Sequence, residues 1–119
     1  MKNLPLYHYR AHVTSVYDGD TCTMDIDLGL KIWSRGEKIR LKRINAPELR
    51  GKERPEGLIS RDYLRDLIQD KTVILQTVKD KKGKYGRYLG EIWVRDDKGD
   101  YINVNDNLVK TGMAEYKSY

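Results

Sequence analysis

Two aspartates separated by one glycine stand in the segment YDGDT, which runs from Tyr17 to Thr21. Glycine lets the backbone turn tightly, so the carboxylates of Asp18 and Asp20 can point into one small volume. Paired oxygens of this kind suit a hard cation such as Ca²⁺, which takes about 6–8 oxygen ligands in proteins. The same residues are also typical of an ordinary Asp-Gly turn in a β-hairpin. The segment alone leaves both interpretations open.

A second segment with candidate chemistry is RLKRINAPELRG, from Arg40 to Gly51. A basic, strand-like run ends there at Asn45 and Ala46, and Pro47 fixes the backbone just before Glu48. A carboxylate on such a rigid corner can serve as a general base if it reaches a metal-bound water. The alternative is a solvated turn glutamate beside surface arginines, because turns of this kind usually lie on the surface.

The third segment, DKKGKYGRYLG, covers Asp80–Gly90 and mixes glycines with basic and aromatic residues. Lys84 can neutralise a phosphate as a point charge, and Arg87 can bind two phosphate oxygens at once. Tyr85 can stack on a nucleobase. An exposed basic turn that serves only solubility would have a similar composition.

The whole chain restricts what these residues can belong to. Its 119 residues are most simply one domain with a single core. The net charge of +5 favours an anionic partner such as nucleic acid. Cys22 is the only cysteine, which excludes an internal disulfide and a thiolate zinc site. The sequence has no run of apolar residues that predicts a membrane span and no visible signal peptide. This favours an intracellular or phage-encoded protein, and a mature form whose signal peptide has been removed is the alternative.

Alternating and β-branched patterns predict five strands that carry these segments. They cover Tyr7–Tyr17, Thr21–Leu28, Glu37–Ile44, Thr72–Lys79 and Leu89–Arg95. The alternation in the second strand places Cys22, Met24, Ile26 and Leu28 on one side. The first two strands are expected to pair as a hairpin around the YDGDT turn.

Two helices are predicted between and after these strands. Pro55 suits the first turn of the longer one, whose apolar face is predicted from Ile59, Tyr63, Leu64, Leu67 and Ile68. Asn103 is the predicted N-cap of a short second helix, with Asp106 three residues later and Gly112 as its stop. This order predicts a mainly β fold: a five-stranded OB-type Greek-key barrel with a helix between strands three and four and a short C-terminal helix.

Taken in order, the motifs VYDGDT, IRLKRINAPE, DKKGKYGRYLGEIWV and VNDNLVKTGMAEY resemble the staphylococcal nuclease (thermonuclease) family. The likeness covers roughly Ala11 to Tyr116, and it implies one such OB-fold domain over residues 1–119 with its core at about 7–116. It implies calcium-dependent hydrolysis of DNA or RNA phosphodiesters by metal-assisted attack of water, leaving 3′-phosphates. The expected partner is single-stranded or frayed nucleic acid, and the expected state is a monomer without membrane contact.

The resemblance also implies a metal site. Asp20 matches the metal-binding carboxylate, with Asp18 beside it as an indirect or water-mediated partner. Asn45 stands where the family typically has a second aspartate, and Ala46 would offer its backbone carbonyl. One calcium ion is implied, and we expect the neutral Asn45 to weaken its binding.

The remaining roles concern the substrate. Glu48 matches the general base or the residue that orients the attacking water, and Arg40 and Arg87 match the two arginines that grip the scissile phosphate. Lys84 and Tyr85 match residues that contact the nucleotide. An alternative function is a non-catalytic OB-fold module that binds nucleic acid or protein on the same surface. A third is a structural or assembly protein that shares only the fold.

Overall fold

The structure is a computed structural model and describes residues 6–82 and 86–117. Lys84 and Tyr85, which were expected to contact the nucleotide, lie outside the described residues. No helix in the described ranges is long and apolar enough to cross a membrane. The elements in chain order are β1 (His8–Asp18), β2 (Thr21–Gly29), β3 (Ile32–Leu41), β4 (Ile44–Asn45), a 3₁₀ turn (Gly51–Glu53), α1 (Arg54–Ile68), β5 (Thr72–Lys82), β6 (Tyr88–Arg95), β7 (Tyr101–Asn103), α2 (Val104–Lys110) and β8 (Glu115–Tyr116).

Five of the strands close into a barrel. The antiparallel order is β3-β2-β1-β5-β6, and a parallel pairing between β3 and β6 closes the ring. β7 extends the sheet beyond β6, while the short strands β4 and β8 form a separate ribbon. The predicted OB-type barrel is confirmed, with α1 between its third and fourth strands and α2 near the C-terminal end.

Strand alternation fills the barrel interior largely as predicted. Cys22, Met24 and Ile26 of β2 are buried, whereas Leu28, near the end of that strand, is 49% exposed. The β1–β2 hairpin also has the predicted pairing. Apolar side chains from every barrel strand and from both helices complete the core.

The third strand differs from its predicted range of Glu37–Ile44. It begins earlier, at Ile32, and ends at Leu41, because Arg43 has a left-handed backbone with φ of 71° that a strand cannot accommodate. Ile44 then belongs to the short strand β4. The chain therefore turns a corner just before Asn45.

The predicted apolar face of α1 is partly wrong. Ile59 is 60% exposed, whereas Leu64 and Ile68 are buried together with the small residues Gly57 and Ser60. Small residues occupy the first turns of this face because Gly57 packs directly against the backbone of Pro47 and Glu48, and Ser60 packs against Gly19. Close backbone contact at small residues, and not hydrophobicity alone, therefore determines which face of α1 is buried.

The predicted cap of α2 is confirmed. The Asn103 side-chain oxygen accepts a hydrogen bond from the Asp106 backbone N–H at 2.8 Å, and the helix ends before Gly112. Asn105, in the first turn, is fully buried and donates to the carbonyls of Lys42 and Gly90. This side chain links α2 to the place where β3 and β6 meet.

Candidate active site

Closure of the barrel brings the three candidate segments together. Thr21, at the end of the YDGDT turn, pairs with Arg40 across β2 and β3. Arg40 in turn pairs with Leu89 across the parallel β3–β6 contact, and Arg87 lies two residues before Leu89. The turn, the end of β3 and the start of β6 are therefore neighbours at one end of the barrel.

Asp20 is held in a fixed orientation at this junction. Its side chain is 8% exposed, and its Oδ2 accepts the Ala46 backbone N–H at 2.9 Å and lies 3.3 Å from Arg40 Nη2. Its Oδ1 accepts the Thr21 hydroxyl at 3.1 Å. A carboxylate has about four acceptor positions on its two oxygens, so Asp20 is anchored and can still accept further contacts.

Asp18 shares the same small volume. Its Oδ1 accepts the Asp20 backbone N–H at 3.1 Å. Burial, the charge of Asp20 and a side-chain hydrogen bond with Asp20 together raise the pKa of Asp18 to about 6. The two carboxylates therefore form a crowded negative pair whose repulsion a bound divalent cation would relieve.

We expect Asp18→Asn to stabilise the metal-free protein at pH 7 by about 1 kcal/mol, a value reduced from the full pKa shift because the group is partly solvated. Because folding raises the pKa of this carboxyl from 3.8 to about 6, the free energy of unfolding falls as the pH increases through that window. The destabilisation is absent below the window and complete above it.

Urea unfolding at pH 4 and pH 7, in the presence of a chelator, measures this effect. The gain in the free energy of unfolding should be present at pH 7 and much smaller at pH 4. An equal gain at both pH values would show that the substitution acts through packing and not through the carboxyl charge.

Arg40 is mostly enclosed, with a side chain 11% exposed. Its Nη1 donates to the carbonyls of Leu41 at 2.7 Å and Ile44 at 3.0 Å. Its Nη2 is 3.3 Å from both Asp20 Oδ2 and Asn45 Oδ1. The guanidinium thus fastens the YDGDT turn to the corner at Asn45, and its contact with phosphate stays a prediction.

Glu48 projects from a braced corner. Its backbone N–H donates to Glu53 Oε2 at 3.0 Å, while its own side chain is 63% exposed and accepts Arg50 Nε at 3.1 Å. Helix α1 begins directly against this backbone: a Cβ at Gly57 would overlap the Glu48 carbonyl. A glycine within the first turns of a helix was the sequence signal for this close contact.

Gly19 is required for a reason different from the one predicted. Its φ is not left-handed, so the turn itself does not demand glycine. Instead, a Cβ at this position would lie 2.8 Å from the Cβ atoms of Ala46 and Ser60. Glycine at this position lets the YDGDT turn, which carries the candidate metal ligands, pack between Ala46 and α1.

An open groove of about 930 Å³ passes this end of the barrel. Glu48 and Arg87 both line it, so the structure brings the predicted base and one predicted phosphate ligand to the same surface. Among the described residues on its walls are five cations and one acid, which together carry a charge of +4: Lys38, Glu48, Arg50, Arg61, Arg65 and Arg87.

The arginines of α1 were not identified from the sequence. Arg65 donates through Nε and Nη2 to the Val16 carbonyl at 3.3 and 3.2 Å, which ties α1 to β1. Arg61 donates to Asp62 Oδ1 at 3.0 Å. Their spacing of four residues places them on one side of a helix, but only the packing of α1 shows that this side faces the groove.

The donor atoms around Asp20 fit a hard cation. Oxygen is present on the carboxylates of Asp18 and Asp20 and on the Asn45 amide, whose Oδ1 shares Arg40 Nη2 with Asp20 Oδ2; such ligands suit calcium. Within residues 6–82 and 86–117, no three His, Cys, Asp or Glu side chains form a potential metal cluster. Among these residues, the site therefore offers two acidic ligands at most.

The chain matches a known protein family and is similar to several known proteins. Residues 38–119 match the family described as staphylococcal nuclease homologue. Uncharacterized protein MJ1439 of Methanocaldococcus jannaschii is 29% identical over 128 residues, covering 90% of this chain and 58% of that protein. The thermonucleases of Staphylococcus intermedius and Staphylococcus hyicus are 29% and 27% identical over 110 residues, covering 90% of this chain and 59% of each relative. The chain thus spans a little under two thirds of their length.

Proposed function

Because this chain belongs to the staphylococcal nuclease homologue family, we propose that it is a calcium-dependent nuclease that hydrolyses phosphodiester bonds of DNA or RNA. One observation carries the proposal: Glu48 and Arg87 line a single cationic groove, and Glu48 also lines a depression with Asp18 of the carboxylate pair. A carboxylate base, a guanidinium and a cation site at one place are what phosphodiester hydrolysis requires.

The proposed metal site consists of Asp20, the Asn45 amide oxygen and the Ala46 backbone carbonyl, with Asp18 acting on the ion directly or through water. Bound there, one calcium ion would neutralise charge on the phosphate and make a bound water more acidic. Arg40 holds Asp20 and Asn45 in place through Nη2. Because Asn45 carries no charge, we propose that the ion binds weakly.

Glu48 is the proposed acceptor of a proton from the attacking water. Arg87 would donate two N–H groups to the non-bridging phosphate oxygens, where charge accumulates as the water adds. The bond between phosphorus and the 5′ oxygen then breaks, the 5′ oxygen takes a proton from solvent water to become a hydroxyl, and the phosphate stays on the 3′ side. Lys84 and Tyr85 are proposed contacts of the terminal nucleotide, and a single-stranded or frayed strand is the proposed substrate of a monomeric protein.

The test is cleavage of denatured DNA and of RNA by the purified protein with calcium, and again with chelator. We expect cleavage that the chelator abolishes, and products that end in 3′-phosphate. Absence of cleavage with calcium and with other divalent ions would overturn the proposal, as would cleavage that persists unchanged in chelator.

A second candidate is a module that binds nucleic acid without cutting it. The observation that favours it is the neutral Asn45 in place of a family carboxylate, which leaves two acidic side chains beside the proposed ion. The same cationic groove would then supply salt-sensitive binding to phosphates. Binding that weakens with salt, without cleavage in any divalent ion, would select this module.

A further inference from the structure

Tyr17 is an exposed aromatic residue at the edge of the proposed site, and the roles above do not use it. Its side chain is 68% exposed at the end of β1, directly before Asp18. It lines the cationic groove and also a smaller depression of about 320 Å³, shared with Asp18, Glu48, Leu49 and Arg50. Small-ligand sites typically have volumes of roughly 300–1,000 Å³, and this depression is near the lower end of that range. Its size therefore suits a single planar group.

The walls of this depression have the chemistry of a base-binding site. Tyr17 supplies an aromatic ring, Leu49 an apolar side chain, and Arg50 a guanidinium on a side chain 87% exposed. Nucleobases stack on aromatic rings and on arginine planes, and this stacking is tolerant of sequence. Glu48 lies in the same depression, so a base held there would sit beside the proposed catalytic centre.

Exposed tyrosines are common on protein surfaces, and the chain offers one for comparison. Tyr101 is 53% exposed, but its ring faces the Arg95 guanidinium at 5.5 Å on β7 and β6. Neither the groove nor the depression includes it. Tyr17 differs because it lines both recesses, which share Glu48, a candidate catalytic residue.

We infer that Tyr17 is a base-stacking residue: a nucleobase of a single-stranded polynucleotide stacks on its ring, while phosphates of the same strand lie along Lys38, Arg61 and Arg65. This inference rests on the proposed function, since it places the base next to the bond to be cut. The cations would supply most of the affinity without reading sequence. The stack requires an open base face, which a duplex does not present, and it therefore selects single strands or frayed ends.

The experiment compares two short ligands in the presence of a chelator, so that binding is measured without cleavage. One is an oligothymidylate, and the other is an abasic oligonucleotide of equal length with the same phosphates. Tyr17→Ala should weaken binding of the oligothymidylate by about 5- to 100-fold and leave binding of the abasic strand unchanged. Tyr17→Phe keeps the ring and should bind as the wild type does, and so should the matched control Tyr101→Ala.

Three results would overturn the inference: equal binding of oligothymidylate by wild type and Tyr17→Ala, an equal loss on both ligands, or no binding by the wild type. Its failure is distinguishable from failure of the nuclease proposal. Tyr17-dependent binding without cleavage in any metal would overturn the nuclease and leave the base site. Cleavage together with unchanged binding by Tyr17→Ala would overturn the base site and leave the nuclease.

Discussion

Glu48→Gln should lower the rate of phosphodiester hydrolysis by about 10²–10⁴-fold, the usual contribution of a positioned general base. Glutamine keeps the size of the side chain but cannot accept the proton of the attacking water. The fold should be unaffected, because the side chain is 63% exposed and the corner is braced through the Glu48 backbone and not through its carboxylate. The loss should therefore appear in the chemical step and not in stability.

Single-turnover cleavage of denatured DNA at saturating calcium measures this rate. The matched control is Glu56→Gln, which removes an exposed carboxylate in the first turn of α1, outside the groove. The control should cleave as the wild type does, and thermal unfolding should agree for all three proteins. A Glu48→Gln rate close to that of the wild type would remove Glu48 from the mechanism.

The fold could be predicted because local pattern and tertiary structure agree along most of the chain. In β2 the alternating residues face the barrel, and in α2 the Asn103 cap forms as its sequence predicts. Prediction failed where tertiary contacts decide. The left-handed Arg43 breaks the third strand, and α1 buries Gly57 in preference to Ile59 because the Glu48 carbonyl lies against it.

The candidate site divides in the same way. Motif order identified Glu48 and Arg87, and the structure places both on one groove. The α1 residues Arg61 and Arg65 could not be assigned from the sequence, because the apolar periodicity of a helix does not show what its polar side faces. Which cations reach a groove depends on how the elements pack, and that information is not present in any single segment.

Arg40 is another residue whose environment could not be predicted from its own strand. The alternation of β3 puts its side chain on the opposite side of the strand from Ile39 and Leu41, and this pattern gives no sign that the guanidinium is buried. The structure buries all three residues, because the side of β3 that carries Arg40 is covered by the YDGDT turn and by the corner after β4. Because Arg40 is enclosed among carbonyls and a carboxylate, it stabilises the fold in addition to any contact it makes with phosphate.

Arg40→Met should therefore lower the free energy of unfolding by about 3 kcal/mol, within the range found when one partner of a buried ion pair is removed. The substitution withdraws the donors of the Leu41 and Ile44 carbonyls and leaves Asp20 without its cation. The matched control is Arg35→Met on the same strand. Arg35 pairs with Asp25, but its side chain is 69% exposed, so this ion pair should contribute no more than about 1 kcal/mol to the free energy of unfolding. Urea unfolding of both variants, with chelator present, gives the comparison.

A double substitution identifies the source of the loss. If the cost of Arg40→Met comes mainly from the uncompensated charge of Asp20, adding Asp20→Asn should recover part of it, since the pair is then neutral on both sides. If the cost comes from the carbonyls of Leu41 and Ile44, the two losses should simply add. Equal stability of Arg40→Met and Arg35→Met would contradict both mechanisms, and it would leave Arg40 with only the substrate-binding role that the family resemblance implies.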